Sequence, residues 1–417
     1  MANPVSSDEI LSSKQCIEIE MKHGAHNYHP LPVVLKEGKG IYVWDVEGKK
    51  YFDFLSGYSA VSQGHCHPRI IDALVKQAGK LTLTSRAFHN NVMAPYTRYI
   101  SKLFGYDKIL PMNTGAEGGE TAVKLCRKWG YSKKKIPENQ AKIIFCKNNF
   151  WGRTIAACSS SSNEDCFKGY GPYTPGFELI DYNSIPALEK ALEDPNVAGF
   201  YVEPIQGEAG VIVPDRGYLK KAYDLCKAKN VLFIADEIQV GLSRCGSLIA
   251  SEFDGVHPDV LILGKALSGG VLPVSAVLAN DDIMLSIEPG THGSTYGGNP
   301  LACAVAKEAL QVLVDEKLAE KSLILGEIFR EGMRKLNLPW IVEIRGRGLL
   351  NALEIDSSIV NAWDICVLLA KYGILSKPTH LKNIRFAPPL VITEDELRTA
   401  MKQMEEAFKE VKILQPT

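Results

Sequence analysis

The sequence predicts an α/β fold: a mostly parallel central sheet in a large domain, with a smaller α+β domain after it. Three observations carry this. Short, nearly continuous apolar runs bounded by turn residues recur through the middle of the chain, and strands of that composition are buried on both faces. Helical segments alternate with them, the pattern of a sheet covered on both sides. From residue 340 the alternation gives way to a hairpin followed by isolated helices.

Taken in order, residues 40–54 read as a hairpin, two alternating runs about a turn at Glu47-Gly48. Pro68 opens a helix over Pro68–Leu81. Helices are expected near 91–104, 117–130, 184–193 and 217–229. The strands between and after them are Lys142–Cys146, Val197–Val202, Val231–Ala235, Asp259–Leu263 and Val274–Leu278. Residues 299–336 read as a long helical connector. A hairpin over 340–355, a helix over 361–372 stopped by Gly373, and a last helix opened by the capping box Thr393–Glu396 complete the chain. The expected division is an N-terminal segment 1–67, a large domain 68–315 and a small domain 316–417.

The chain has 417 residues and a formal charge of −1, which argues against nucleic acid or an anionic membrane as partner. No apolar run reaches membrane-spanning length. The first fifteen residues lack the apolar core of a secretory signal and the Arg-rich, acid-poor character of a transit peptide. The ten scattered cysteines form no CxxC pair, and most of them, Cys126, Cys226, Cys303 and Cys366 among them, read as core residues of a reducing compartment. A cytoplasmic protein is the expectation. His23, His26 and His29 are spaced for a helix face, but Gly24, Pro30 and Pro32 oppose the helix. His65 and His67 lack a second ligand cluster, so no metal is expected. Arg345 and Arg347 read as structural residues in a turn. Cys158 and Cys166 bracket a polar, serine-rich run. A reversible disulfide there is one reading and two unpaired thiols the other.

Chemistry gathers at strand ends, where open α/β sheets bind ligands. Lys265 follows the run Asp259–Leu263 among glycines, a setting that desolvates its amine and frees it as a nucleophile. Asp236 follows Val231–Ala235, about 30 residues earlier, roughly one βαβ unit, so the two can face one site. A carboxylate placed there needs a cation or hydrogen-bond donors. Asn113–Thr121 sets glycines at a helix start, where free backbone amides suit a phosphate, although neither dinucleotide nor ATP fingerprints are present. Thr291–Pro300 offers hydroxyls and glycines before another helix. One ligand with a phosphate, an amine-reactive carbonyl and a basic nitrogen would satisfy all of these, and pyridoxal 5′-phosphate is such a ligand.

At these residues the chain resembles the fold-type I, class III pyridoxal-phosphate aminotransferases of the ornithine, acetylornithine and GABA subgroup, the ornithine δ-aminotransferases most. The segments are GAHNYHPLPV, DFLSGYSAVSQGHCHP, NTGAEGGETAVKL, VEPIQGEAGV, ADEIQVGL, LGKALSGG, HGSTYGGNPLA and IRFAPPL, in order over nearly the whole chain. The resemblance implies that Lys265 is the Schiff-base lysine and Asp236 the partner of the pyridinium nitrogen. Gln239 would bond the ring hydroxyl, Phe150 would stack on the ring, and Gly115 and Ala116 would give amides to the phosphate. Ser294 and Thr295 would reach the phosphate from a partner subunit of a homodimer. Arg153 would hold a substrate carboxylate, and Tyr28 and Tyr58 would line the cleft. Glu208 would pair with Arg385 until a glutamate or 2-oxoglutarate carboxylate displaces it. The implied reaction is transfer of the δ-amino group of ornithine to 2-oxoglutarate, giving glutamate and glutamate 5-semialdehyde, which cyclises to pyrroline-5-carboxylate. Val240 and Cys245 depart from the usual threonines, and Gly118-Gly119 is a variant of the phosphate loop. Acetylornithine or GABA transamination, an aminomutase or racemase on the same fold, and a catalytically silent relative are the alternatives.

Overall fold

The computed structural model describes residues 11–413; the first ten residues, on which much of the leader reading rests, lie outside the described residues. Near the N-terminus, β1 (Leu35–Lys39), β2 (Tyr42–Asp45) and β3 (Lys50–Asp53) form an antiparallel meander. Its β2–β3 turn holds Gly48 at φ +89°, the conformation for which the Glu47-Gly48 signal stands.

The central sheet has seven strands: β4 (Lys108–Met112), β5 (Lys142–Cys146), β6 (Phe177–Ile180), β7 (Val197–Val202), β8 (Leu232–Asp236), β9 (Val260–Leu263) and β10 (Ser275–Ala279). Their order is β4-β10-β9-β8-β7-β5-β6, and β10 alone runs against its neighbours. Every residue of β7, β8, β9 and β10 is buried. Alternate side chains feed opposite layers: Ile143 and Phe145 join the core under the helix Gly115–Ser132, whereas Ile144 and Cys146 join the core under Tyr218–Ala228. Because β4, β5, β7, β8 and β9 point the same way, their carboxyl ends open on one edge.

All five expected strands in this sheet hold to within a residue. The run from Asp259 starts at Val260, and the Asp259 carboxylate accepts from Phe233 N and Lys227 Nζ, both at 2.9 Å. The two strands missed in the sequence, β4 and β6, are the sheet's edges. Pro111 within β4 argues against a central strand and is tolerated at an edge, where only one neighbour needs backbone donors.

The connector 299–336 is two helices, Pro300–Asp315 and Leu318–Lys335, broken at Lys317 in the left-handed region (φ 52°). No glycine or proline marks the break. Beyond it, β11 (Ile341–Arg347), β12 (Leu350–Ile355), β14 (Lys377–Thr379) and β15 (Asn383–Phe386) form an antiparallel sheet ordered β11-β12-β15-β14, while β13 (Ile374–Leu375) pairs parallel with β3. The C-terminal part is thereby stitched to the N-terminal meander. Arg345 and Arg347 sit in β11 rather than in a turn. Arg345 bonds Gly210 O at 2.9 Å and Glu343 at 2.7 Å, and also Glu354 and Asn383, so its role is structural as expected. The last helix begins with the expected capping box, Thr393 and Glu396 exchanging bonds.

Candidate active site

Lys265 follows β9 after one glycine and takes φ 41°, a conformation that costs a non-glycine residue about 1–3 kcal/mol. Its surroundings hold it there. Gln63 donates to Ala266 O at 2.8 Å, Leu267 N donates to Gly264 O at 2.9 Å, and Ala266 and Leu267 are core residues. Burial pulls the Lys265 ammonium down to about 8. Glu208, Asp236 and Glu203 oppose the fall and Arg385 adds to it. The neutral amine, the state a nucleophile needs, is therefore much more accessible near physiological pH than for an ordinary lysine, although the ammonium still predominates below about 8.

Asp236 ends β8 and is 4% exposed. Tyr201 donates to its Oδ2 at 2.7 Å and Ile238 N to its Oδ1 at 3.0 Å. Burial raises its pKa in spite of both bonds and of Lys265, so the carboxylate is poised to gain from a cation. Beyond it, Gln239 Nε2 donates to Glu208 Oε1 at 2.9 Å, and Arg385 Nη1 reaches the same Oε1 at 2.8 Å and Gln239 Oε1 at 3.2 Å. Arg385, on β15, is 2% exposed. Burial works against the Glu208 charge, but Arg385 and Lys265 outweigh it and hold the carboxyl at about 2. Tyr58 lays its ring 5.0 Å from the Arg385 guanidinium.

The glycine-rich loop does start a helix. Thr114 caps Gly115–Ser132 and accepts from Glu117 N, and the Glu117 carboxylate takes the amides of Asn113 and Thr114. The amides of Gly115 and Ala116 have no intrahelical partner and suit an oxyanion. A Cβ on Gly115 would press Ile238 at 3.2 Å, so the loop is packed as closely as glycine allows.

One cavity of about 190 Å³ is lined by Gly115, Ala116, Phe150, Asp236, Gln239, Lys265 and Glu208. Arg385 and Tyr58 adjoin it through the contacts given above. Ser294 stands beside the phosphate-type loop, where its Oγ accepts from Asn113 Nδ2 at 2.9 Å. Three expected residues are not in the cavity: Thr295 and Arg153 are exposed, and Tyr28 is 74% exposed, with Lys377 Nζ 5.7 Å from its ring. Arg153 stays near by, its guanidinium 5.7 Å from the Phe150 ring.

Sequence reasoning missed Glu203, Trp151, Gly152 and Ile238 in the lining, and Tyr201 behind Asp236. Glu203 carried a usable signal, since it follows β7 as Asp236 ends β8. Burial, with Asp236 beside it, pushes its carboxyl up to about 8.

Two other groups singled out in the sequence lie outside the cavity. His65 pairs with Asp53 at 2.7 Å and His67 with Glu316 at 3.0 Å, and no cluster with metal-site geometry occurs among the described residues. Cys158 and Cys166 are free and buried, not exposed loop thiols. Burial pushes the Cys158 thiol up, away from the reactive thiolate.

The family model for class-III aminotransferases matches residues 23–408. The mitochondrial ornithine aminotransferase of Drosophila ananassae is 61% identical over 383 residues, 92% of this chain and 88% of that protein. The ornithine aminotransferase of Toxoplasma gondii, whose active site holds pyridoxal phosphate at partial occupancy, superposes with a TM-score of 0.95 at 56% identity, covering 96% of this chain and 95% of that one. The acetylornithine aminotransferase of Elizabethkingia anophelis superposes with a TM-score of 0.87 at 56% identity, covering 95% and 99%. The expectation of a cytoplasmic protein is corrected here, because the fly relative is a mitochondrial protein. Free cysteines suit a reducing environment, which the cytosol shares with other compartments. By family-model coverage and by identity, this chain belongs to the class-III aminotransferases.

Proposed function

We propose that the chain transfers the δ-amino group of L-ornithine to 2-oxoglutarate, forming glutamate 5-semialdehyde, which cyclises to pyrroline-5-carboxylate, and glutamate. The observation that carries this reading is the Glu208–Arg385 pair, 2.8 Å apart beside the cavity that Lys265 enters. The two amino donors ask for opposite environments. Ornithine reacting at its δ-end brings no carboxylate to the reacting carbon, and glutamate reacting at its α-end does. A buried arginine with a removable carboxylate partner serves both.

Pyridoxal phosphate is the cofactor of the family, and the residues fit it. Asp236 is a buried carboxylate able to hold a ring nitrogen protonated, and Gly115 and Ala116 present free amides for a phosphate. Lys265 supplies an amine whose ammonium burial has weakened and Phe150 an aromatic wall. When bound, the cofactor supplies an electron sink for the substrate carbon. Lys265 would anchor it and, once released, would hold and return the proton of the substrate carbon. Gln239 would bond the ring hydroxyl, and Tyr58 lies over Arg385 beside the cleft. Arg153, at the rim, meets a substrate carboxylate, and Tyr28 folds over the ornithine end. Thr295 and Ser294 serve the phosphate of a partner subunit in a homodimer, a role that the exposure of Thr295 supports. The three-part division at 67 and 315 belongs to the same reading: the seven-stranded sheet lies within 68–315 and the β11-β12-β15-β14 sheet within 316–417, while the third sheet joins β1–β3 of the N-terminal segment to β13 of the small domain.

Acetylornithine transamination is the second reading, favoured by the Elizabethkingia relative at 56% identity. A donor panel of ornithine, N-acetylornithine and GABA with 2-oxoglutarate decides. Ornithine is expected to give the highest kcat/KM, and preference for N-acetylornithine overturns the assignment.

A further inference from the structure

Glu203 has no part in the reading above, yet it is among the most constrained polar groups in the cavity. It follows β7 directly and is buried. Its partners are two backbone amides. Oε1 accepts from Phe150 N at 3.0 Å, and Oε2 accepts from Gly207 N at 3.2 Å. No lysine, arginine or histidine bonds it among the described residues; Lys265 feels its charge across the cavity without bonding it, and Arg385 is engaged by Glu208. A buried carboxyl without a cation is costly, so its retention calls for a geometric role.

The two amides belong to different loops. One follows β5 and carries Phe150, the aromatic wall of the cavity. The other follows β7 and carries Glu208, the partner of Arg385. One rigid side chain thus bridges the wall and the gate. We propose that Glu203 is a positioning residue that fixes the loop carrying Glu208 to the loop carrying Phe150, so that displacement of Glu208 from Arg385 is coupled to the packing of the ring wall. This rests on the ornithine reading only in taking Glu208 as a removable partner. Gly207 is well suited to the clamp: a Cβ there would fall 1.8 Å from Gln239 Oε1, so the backbone stays close to both Glu203 and Gln239.

Glu203→Gln tests it in the cofactor-loaded enzyme. At pH 9, above the Glu203 carboxyl's value of about 8, the carboxylate accepts from both amides, whereas the amide of glutamine keeps one acceptor for Phe150 N and turns a donor towards Gly207 N, which cuts the clamp on one side. Loosening the Glu208 loop favours carboxylate binding at Arg385. Glutarate, a dicarboxylate without an amine, titrated through the cofactor's visible absorbance, is expected to bind about three- to tenfold tighter, the worth of one hydrogen bond. In a Glu208→Ala background the same change is expected to have no effect on glutarate affinity, because Glu203 acts through Glu208. Unchanged glutarate affinity in the single variant, or an equal gain in both backgrounds, overturns the proposal. Should Glu203→Gln fail to fold, hydrogen exchange on the unaltered enzyme decides. Glutarate should change amide protection at Phe150 as well as at Gly207, and a change confined to Gly207 overturns the coupling. A wild-type enzyme that does not use ornithine refutes the functional reading and leaves both measurements interpretable.

Discussion

Replacing Glu208 by alanine removes the charge that masks Arg385 and leaves the guanidinium two neutral acceptors, Gln239 Oε1 at 3.2 Å and Gly207 O at 3.4 Å. A buried guanidinium without a counter-ion draws any carboxylate that enters. The size of the effect follows from the Glu208 carboxyl, held at about 2 against an ordinary 4.5. That difference amounts to about 3 kcal/mol favouring the charged form, from Arg385, Lys265 and Gln239 together against burial. The charge-assisted bond to Arg385 accounts for about 1.5–3 kcal/mol of such a sum. Glu208→Ala should therefore speed or tighten the glutamate half-reaction by about 10- to 100-fold and impair the ornithine half-reaction by a similar factor. Because the carboxyl is depressed, the mask is fully present above pH 4.5 and is lost only as pH falls through about 2. The split should accordingly hold across the working pH range. Stopped-flow measurement of each half-reaction separately is the assay. Equal slowing of both would mean that Glu208 braces its loop and does not gate Arg385.

Lys265→Ala should leave a folded protein that still binds the cofactor through its phosphate and scarcely turns over; activity within about tenfold of wild type, or about 1.4 kcal/mol of barrier, would sink its assignment. In the cofactor-free enzyme, covalent capture of pyridoxal phosphate followed by borohydride should rise with pH and level off above about 8, since the Lys265 ammonium is depressed to that value and its amine is free only above it. A midpoint near the ordinary lysine value would show that burial does not tune this amine. Asp236→Asn keeps the shape and the Tyr201 contact while removing the charge, and should cost roughly 4 kcal/mol or more of barrier, about three orders of magnitude in kcat. A near-normal rate would mean that Asp236 does not hold the ring nitrogen protonated.

Much of the site was legible in the sequence because its chemistry is local. Lys265 and Asp236 sit against apolar runs whose period marks buried strands, and a strand's end in a parallel sheet is where its polar neighbour must emerge. The capped helix at Gly115 was legible for the same reason, since caps are read within four residues. Edge strands were not. The Pro111-containing β4 and the short β6 lack the continuous apolar run that burial on both faces imposes. The helix break at Lys317 has no local marker at all; it falls where Pro300–Asp315, packed on the helices Pro68–Ala78 and Met93–Phe104, gives way to Leu318–Lys335, packed on β11 and β12.

What only the tertiary structure decided is which distant groups meet and how dry their meeting place is. The sequence itself suggested nothing of Tyr201 behind Asp236 or of Glu203 between Phe150 and Gly207. Arg385 and Glu208 are 177 residues apart, and their pairing was implied only by resemblance until β15 set the guanidinium against the loop after β7. Thr295, Arg153 and Tyr28 carry the residue types the chemistry wants, yet in the folded chain they stay at the surface. The reason is physical. Periodicity and capping act through neighbours in the chain, whereas burial, which moves Lys265 down and Asp236 and Glu203 up, is a property of everything packed around a group, and no local stretch of sequence encodes it.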